Sequence, residues 1–497
     1  PYDFQAFDEP IPQGASQTDI EQIELKSSQE LFKRIKTLYK EGQKQDPEVF
    51  KDDIRLDHAK VRAVVGYLES INLSGTDLDS KGKAFETFMG SYFRGDFGQY
   101  FTPRNIVKFI VNTLPITNNS KVLDTSCGSG GFLLYALDKI RAQADEYFED
   151  QIGDPDKNIP EGRDHYRFWH DFATKKLFGI EINEQIARTA KMNMIIHDDG
   201  HTNVIAADGL LKAEVLSARN NNPEFKNDSF DFIVTNPPFG SIVRQTEKAY
   251  LEHYKFGEKD VSWLDTKNSA VKNRPNQSTE VLFMEQCHNF LKPGGFLAIV
   301  IPDGILTNSS LQYVRDKIEE WYRIVAVVSM PQTAFSHTGA GVKSSVLFLR
   351  KWSRATTDHY QQLKAQLQQD LKRKHDYENY IKGIEDEKRQ VIKDQDGFKN
   401  LTSETDPKVI AKSEAFKTWK KEVNDRYNNK IQSIRELLID EYLQKKQTTL
   451  PDYDIFMAIA EEIGYDATGK TIANNELEAI ERELTRFIKH IENTEKI

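Results

Sequence analysis

Cysteine is almost absent: 497 residues hold two, Cys127 and Cys287, with no CxxC. That excludes a disulfide framework and points to a reducing cytoplasm. The eleven histidines form neither HExxH nor a paired Cys/His spacing, so no metal is expected. Long apolar runs are also missing. The strongest, FLAIVIP at 296–302, is strand-sized and far short of the roughly 18 residues that span a bilayer, so no membrane is expected as a partner. The first residues, PYDFQAFDEPIPQGAS, lack a basic segment followed by an apolar one, so no signal peptide is expected. They open on Pro1 rather than Met, as a trimmed or excised chain would. A basic excess is lacking too. The net charge of −10 argues against a surface coated in positive charge but leaves room for a basic cleft. No internal repeat or low-complexity tract is visible.

What is present divides the chain by texture, within the two to four domains that about 100–200 residues each would allow. Residues 1–22 look like a leader. Over 23–98, QELFKRIKTLYKEG and VRAVVGYLESI carry apolar residues at helical spacing. Over 99–354, short β-branched runs (KVLDTS, KLFGIEI, NVIAAD, FDFIVTN, GFLAIVIP, RIVAVVSM, SSVLFLR) alternate with helical stretches. That is the pattern of an α/β fold, βαβ units around a mostly parallel sheet. Acidic segment 143–170 reads as an inserted loop with little regular structure. Residues 355–497 read as a helical region in which Phe416, Trp419, Val423, Tyr427, Ile431, Ile434 and Leu438 make one narrow apolar stripe. A compact piece, IFMAIAEEIGYDATGK, and a last helix follow.

KVLDTSCGSGGFLLYAL (121–137) is a strand, a glycine-rich turn and a helix. Gly128, Gly130 and Gly131 let the backbone approach a ligand, and the helix start points free N–H groups at it. A tight βα turn alone also favours glycine. A P-loop needs Gly-Lys-Ser/Thr here, and Gly-Phe-Leu stands instead. A dinucleotide fold wants an acid about 20 residues on. Asp124 precedes the loop, and the next acid closing a strand is Glu181, far beyond that distance, with the insert accounting for much of it. Glu181 suits a ribose diol. Asp208, read as ending the third strand, suits an adenine amino group. Such carboxylates around a nucleoside without phosphate fit S-adenosyl-L-methionine better than NAD. Ahead of them, Thr102 and Pro103 read as the N-cap and first residue of a helix whose N-terminus can hold the cofactor's methionine carboxylate. Gln99, Tyr100 and Phe101 cluster before that cap without a structural reason.

The run FDFIVTNPPFG (230–240) ends a buried strand in Asn236, Pro237, Pro238 and Phe239. Two prolines exclude helix and strand and stiffen the turn. The Asn236 side-chain oxygen and the Pro237 carbonyl are acceptors that can take both hydrogens of an exocyclic amine. Phe239 can stack on the ring bearing it. Positioning and electrostatics would then carry the rate, with no general base required.

GQYFTPR, DTSCGSGGFL, GIEIN and NPPF, in this order, resemble an N6-adenine DNA methyltransferase, and most closely the modification (M) subunit of type I restriction-modification systems. The resemblance covers roughly 80–350, with a further likeness in IFMAIAEEIGYDATGK. It implies a Rossmann-like S-adenosylmethionine-dependent methyltransferase domain over 99–354. It assigns Gln99, Tyr100, Phe101, Thr102, Pro103 and Arg104, then Asp124, Gly128, Ser129, Gly130 and Gly131, then Glu181 and Asp208, to the cofactor. Asn236, Pro237, Pro238 and Phe239 become the catalytic tetrapeptide. Two departures stand out: Asp124-Thr125 where many relatives have Asp-Pro, and the insert at 143–170.

Cytosine C5 chemistry is disfavoured, because it uses a cysteine usually placed after proline, and Cys127 follows Ser126. Adenine chemistry on double-stranded DNA requires base flipping, yet no recognition module is visible. Arg244, Lys248, Lys255, Lys267, Lys272 and Arg274 in 240–279 suggest a mobile DNA-contacting loop or a solvated surface loop. The resemblance implies a separate specificity (S) subunit, a second copy of the chain and a restriction (R) subunit, with the C-terminal helices as the candidate contact. The alternatives are methylation of RNA or of protein glutamine, and a non-catalytic DNA-binding scaffold.

Overall fold

The computed structural model describes residues 4–6, 10–47, 49–70, 102–149, 164–197, 203–244, 249–259, 261–265, 273–336, 341–395, 398 and 406–495. Helix α1 (Gln17–Gln45) starts at a capping box: Ser16 Oγ accepts from Asp19 N–H at 3.2 Å, and Asp19 Oδ2 accepts from Ser16 N–H at 3.0 Å. Residues 17–22 are therefore helix rather than leader, because the S-x-x-D signal outweighs a polar composition. Leu31 of α1 packs on Val61 and Val65 of α2 (His58–Leu68). Of the region expected to be helical over 23–98, residues 71–98 lie outside the described ones.

The α/β core follows as strands and helices in alternation. Helix α3 (Arg104–Thr113) precedes β1 (Val122–Asp124). Then come α4 (Gly131–Tyr147), α5 (Asp164–Lys175), β2 (Leu177–Glu181), α6 (Glu184–Ile196), β3 (Val204–Ala206), α7 (Ala213–Asn220) and β4 (Phe230–Thr235). Strands β5 (Ile242–Arg244) and β6 (Asn276–Ser278) pair with each other. After α8 (Thr279–Phe290) come β7 (Leu291–Pro302), α9 (Gln312–Trp321), β8 (Tyr322–Ser329) and β9 (Ser344–Lys351). Strand β10 (Phe456–Ile459) completes a sheet of order β10-β8-β9-β7-β4-β1-β2-β3. Only β9 runs antiparallel to its neighbours.

Both faces of the sheet are covered, which is why its strands read as continuous apolar runs. Side chains alternate between two cores with period two. Val122, Phe232, Val234, Phe296 and Ala298 face α3, α4 and α5, while Leu123, Ile233, Leu297 and Ile299 face α8 and α9. From β1 the chain steps outward to β2 and β3, then returns to β4 on β1's other side. Strand order thus reverses between β1 and β4, and in open α/β sheets the carboxyl ends at such a reversal are where ligands bind.

The insert expected over 143–170 is partly helical. Helix α4 continues through Tyr147 with Ala144 buried, and α5 buries Trp169, whose ring carries the Arg141 guanidinium 4.3 Å away. Helical spacing of Leu137, Ile140 and Ala144 persists beneath the acidic composition.

After β9, helices α10 (Arg354–Lys374), α11 (Tyr377–Asp394) and α12 (Glu414–Thr449) pack together. The α12 stripe is covered from within the chain. Phe416, Trp419, Val423 and Tyr427 pack on Ile384, Phe398 and Ile410, and Leu438 packs on Tyr377, Ile381 and Leu264. The tail then returns to the core. Strand β10 adds to the sheet edge beside β8, β11 (Ile463–Tyr465) pairs with β12 (Thr471–Asn475), and α13 (Leu477–Thr494) packs on α3. Residues 456–494 therefore belong with the sheet, and the texture boundary at 354/355 does not close it. Arg323 on β8, 1% exposed, fixes that return through Glu495. No helix among the described residues is long and apolar enough to cross a membrane.

Candidate active site

The glycine loop leaves β1 at Asp124 and enters α4 at Gly131. Gly128 (φ +51°) and Gly130 (φ +88°) take dihedrals that side chains disfavour. A Cβ at Gly128 would meet nothing described within 4 Å, so this stretch of backbone is open to a ligand. The Ser129 carbonyl accepts from Asn193 Nδ2 at 2.9 Å, tying the loop to α6. Glu181, the last residue of β2, is buried, and its carboxylate accepts from Gly128 N–H at 3.1 Å and Asn183 N–H at 2.8 Å. Ile182 beside it is 60% exposed. Asp208 lies two residues beyond β3 rather than at its end, and Oδ1 accepts from Leu210 N–H at 3.0 Å, so part of its capacity caps its own turn.

Asp124 is fully buried. Burial pushes its carboxyl up to about 7, and Glu181 adds to that rise; hydrogen bonds from Ser126 N–H (3.1 Å) and Thr235 Oγ1 (2.8 Å) oppose it.

Strand β4 delivers Asn236 beside this loop. Asn236 Nδ2 donates to Thr102 Oγ1 at 2.9 Å. Its Oδ1 is buried and makes no hydrogen bond among the described residues. Pro237 is buried. The Pro238 carbonyl accepts from Thr279 Oγ1 at 2.8 Å, and Gly240 N–H donates to Glu280 Oε2 at 3.3 Å, so α8 braces the turn. Phe239 is half-buried, packed in part on the core.

Thr102 is not the expected N-cap. Helix α3 begins at Arg104, Pro103 takes the cap position, and no side chain caps it. The hydroxyl that would have capped the helix holds the Asn236 amide instead. Gln99, Tyr100 and Phe101 lie outside the described residues. The fold thus brings Asp124, the glycine loop, Glu181 and Asn236 to neighbouring strand ends, with Thr102 reaching in from just ahead of α3.

The family model for N-6 DNA methylases matches residues 76–445. This chain belongs to the N-6 DNA methylase family. Among curated relatives of the family member, the StySPI type I restriction enzyme methylase subunit of Salmonella potsdam is 28% identical over 51% of this chain and 40% of its own length. The EcoKI type I restriction enzyme methylase subunit of Escherichia coli is 25% identical over 59% of this chain and 49% of its own. The chain spans about half the length of the curated relatives it matches. The crystal structure of the EcoKI M protein aligns over 61% of this chain and 53% of its own, with a TM-score of 0.36 and 23% identity.

In this N-6 methylase-family site, both cysteines are buried, and burial pushes their thiols up, Cys287 to about 12, so neither supplies a thiolate nucleophile. Four residues missed in the sequence build the site: Ser126, Asn193, Thr235 and Thr279. All four satisfy main chain or carboxylate at a distance, so none announces itself in the sequence. Of the basic residues in 240–279, Lys248, Lys267 and Lys272 lie outside the described ones, and Arg244 closes β5. Lys255 pairs with Glu258 at 3.5 Å, and Arg274 stacks on Tyr313 at 4.1 Å. Residues 261–265 are anchored rather than loose: Leu264 is fully buried, and its carbonyl accepts from Tyr377 Oη at 2.8 Å.

Proposed function

We propose that this chain transfers a methyl group from S-adenosylmethionine to the N6 amino group of an adenine flipped from double-stranded DNA, as the modification subunit of a type I restriction-modification system. The observation that carries the reading is the buried Oδ1 of Asn236, unpartnered among the described residues, at the carboxyl end of β4 where the strand order reverses. An unsatisfied buried acceptor costs about 1–3 kcal/mol. A substrate amine relieves that cost, because it donates one hydrogen to Oδ1 and the other to the Pro237 carbonyl. Those two bonds draw the nitrogen toward sp3 geometry and aim its lone pair. Thr102 holds Nδ2, and the prolines and Thr279 hold the turn, so little rearrangement is left for the reacting complex. Phe239 offers its free face to the flipped base.

The residues fit the cofactor. Gly128 leaves an open stretch of backbone ahead of a helix start, Glu181 suits the ribose hydroxyls, Asp208 suits the adenine amino group and exposed Ile182 offers that ring an apolar face. Asp124, with Thr102 to Arg104, is assigned to the methionine end; Gln99, Tyr100 and Phe101 carry the same assignment from the sequence and lie outside the described residues. The cofactor supplies an electrophilic methyl on a sulfonium, and the chain supplies alignment. A separate specificity subunit reads the DNA, joined by a second copy of the chain and a restriction subunit, in the cytoplasm. The covered α12 stripe does not supply that contact, which falls to the outer faces of the C-terminal helices. The test offers labelled S-adenosylmethionine with DNA, RNA and protein acceptors, with and without the products of neighbouring genes. Label in N6-methyladenine that Asn236→Ala abolishes is expected; label in RNA or protein overturns the reading.

A further inference from the structure

We propose that Thr235 is a positioning residue that couples the cofactor loop to the catalytic turn: its hydroxyl holds Asp124 and, through Ser126, the main chain of Asn236. The inference rests on the methyl-transfer reading above and deepens it. Thr235 Oγ1 lies 2.8 Å from Asp124 Oδ1, 2.9 Å from Ser126 Oγ and 3.1 Å from Thr125 Oγ1, and Thr235 is fully buried. A hydroxyl has one proton and two lone pairs. The ionised carboxylate only accepts, so the Thr235 proton goes to Asp124. Thr125 and Ser126 then both donate toward Thr235. Ser126 Oγ also lies 3.2 Å from the Asn236 carbonyl, so its proton is shared between the strand and the catalytic residue. The charge state of Asp124 thereby sets the proton order of a network that ends on Asn236.

The network occupies the place where Thr125 replaces the proline expected after the loop's first aspartate. The Thr125 hydroxyl fills one of the two acceptor sites on Thr235. Asp124 is poised for such a role. Burial holds its carboxyl near 7, and the titratable groups facing it are Glu181 at the end of β2, Cys127 in the loop and Cys287 on α8. The Thr235 bond pulls that value down, favouring the ionised form that a cationic cofactor prefers.

The experiment measures S-adenosylmethionine affinity of the full chain by calorimetry from about pH 6 to 9, and methyl-transfer rate in the DNA-methylating assembly. Wild-type affinity is expected to rise with pH through about 7. Thr235→Val is expected to move that limb upward by about one pH unit, the scale of one charge-assisted hydrogen bond, and so to weaken binding at pH 7 about fivefold. Thr235→Ser restores both. Ser126→Ala, which keeps its N–H to Asp124, is expected to slow transfer about fivefold with a smaller limb shift. A folded Thr235→Val chain with an unshifted limb overturns the coupling, as does Ser126→Ala at the wild-type rate, which decides alone if Thr235→Val does not fold. A wild-type chain with no affinity for S-adenosylmethionine overturns the methyl-transfer reading and the coupling together, whereas an unshifted limb in a binding chain overturns only the coupling.

Discussion

Gly464→Ala tests how the tail braces the site. Gly464 sits in β11 at φ +83°, and an added Cβ would come within 2.4 Å of Asn105 Nδ2. That amide donates to the Ile463 carbonyl at 2.7 Å, pinning the first turn of α3 to the tail. Two costs follow. Positive φ on an L-residue costs about 1–3 kcal/mol. Displacing the half-buried amide from its acceptor adds about 0.5–1.5 kcal/mol. The expected destabilisation of the tail-on-core unit is therefore about 1.5–4.5 kcal/mol. In a unit of 150–250 residues each kcal/mol moves the melting temperature by about 2–4 °C. The assay is thermal melting with hydrogen exchange of the α13 and β11 amides, repeated for Asn105→Ala and the double variant. The double variant removes the overlap but keeps the dihedral cost, so a favourable coupling above about 0.5 kcal/mol is expected. Because Thr102 lies just ahead of α3, Gly464→Ala should also slow methyl transfer. Melting within about 1 °C of wild type, with unchanged exchange, would refute the bracing argument.

Glu495→Ala strips Arg323 of two bonds, at 2.5 and 2.6 Å, and leaves a buried guanidinium with two carbonyls and the faces of Tyr453 and Phe487 but no carboxylate bonded to it. Glu495 is about one-third exposed, so denaturant unfolding should show a loss of about 2–4 kcal/mol, below the full penalty of a wholly buried pair; a loss under about 0.5 refutes it. The Asp124 carboxyl titrates near 7 in the folded chain against an ordinary value of 3.8. Its folded form binds the proton more tightly, so stability without cofactor should fall as pH climbs from about 4 to 7 and stay low above. Asp124→Asn should flatten that part of the melting-temperature profile, and an unchanged profile would refute the assignment.

The sheet was legible where burial is two-sided. All seven apolar runs expected as strands contain strands, since Val, Ile, Leu and Phe on both faces leave little for another structure to explain. The eighth strand was not legible. Phe456 and Ala458 pack inward while Met457 and Ile459 stand 74% and 73% exposed, as an edge strand allows, and four residues of mixed exposure do not announce a partner more than 100 residues earlier. The same non-locality hid the return of α13. An amphipathic helix states that it has an apolar face, not which surface meets it.

The site divides along a similar line. Asn236 stood out because two prolines deny its segment every regular structure, leaving function as the remaining explanation. Thr102 did not, because a local rule already accounted for it: a hydroxyl before proline at a helix start is a good cap. The structure separates the two accounts, since the helix starts without a side-chain cap while the hydroxyl takes the amide of a residue 134 positions away. Thr235 and Ser126 were silent for the opposite reason, one lying inside a strand and the other inside a glycine loop whose glycines drew the attention. Each satisfies a buried acceptor, and a satisfied group leaves no anomaly in a sequence. Among the described residues, Asn236 Oδ1 is left without a partner beside these satisfied hydroxyls. The surrounding hydroxyls thus fix the amide's frame while leaving its acceptor for a donor from outside, the position that the proposed methyl transfer gives to an exocyclic amine.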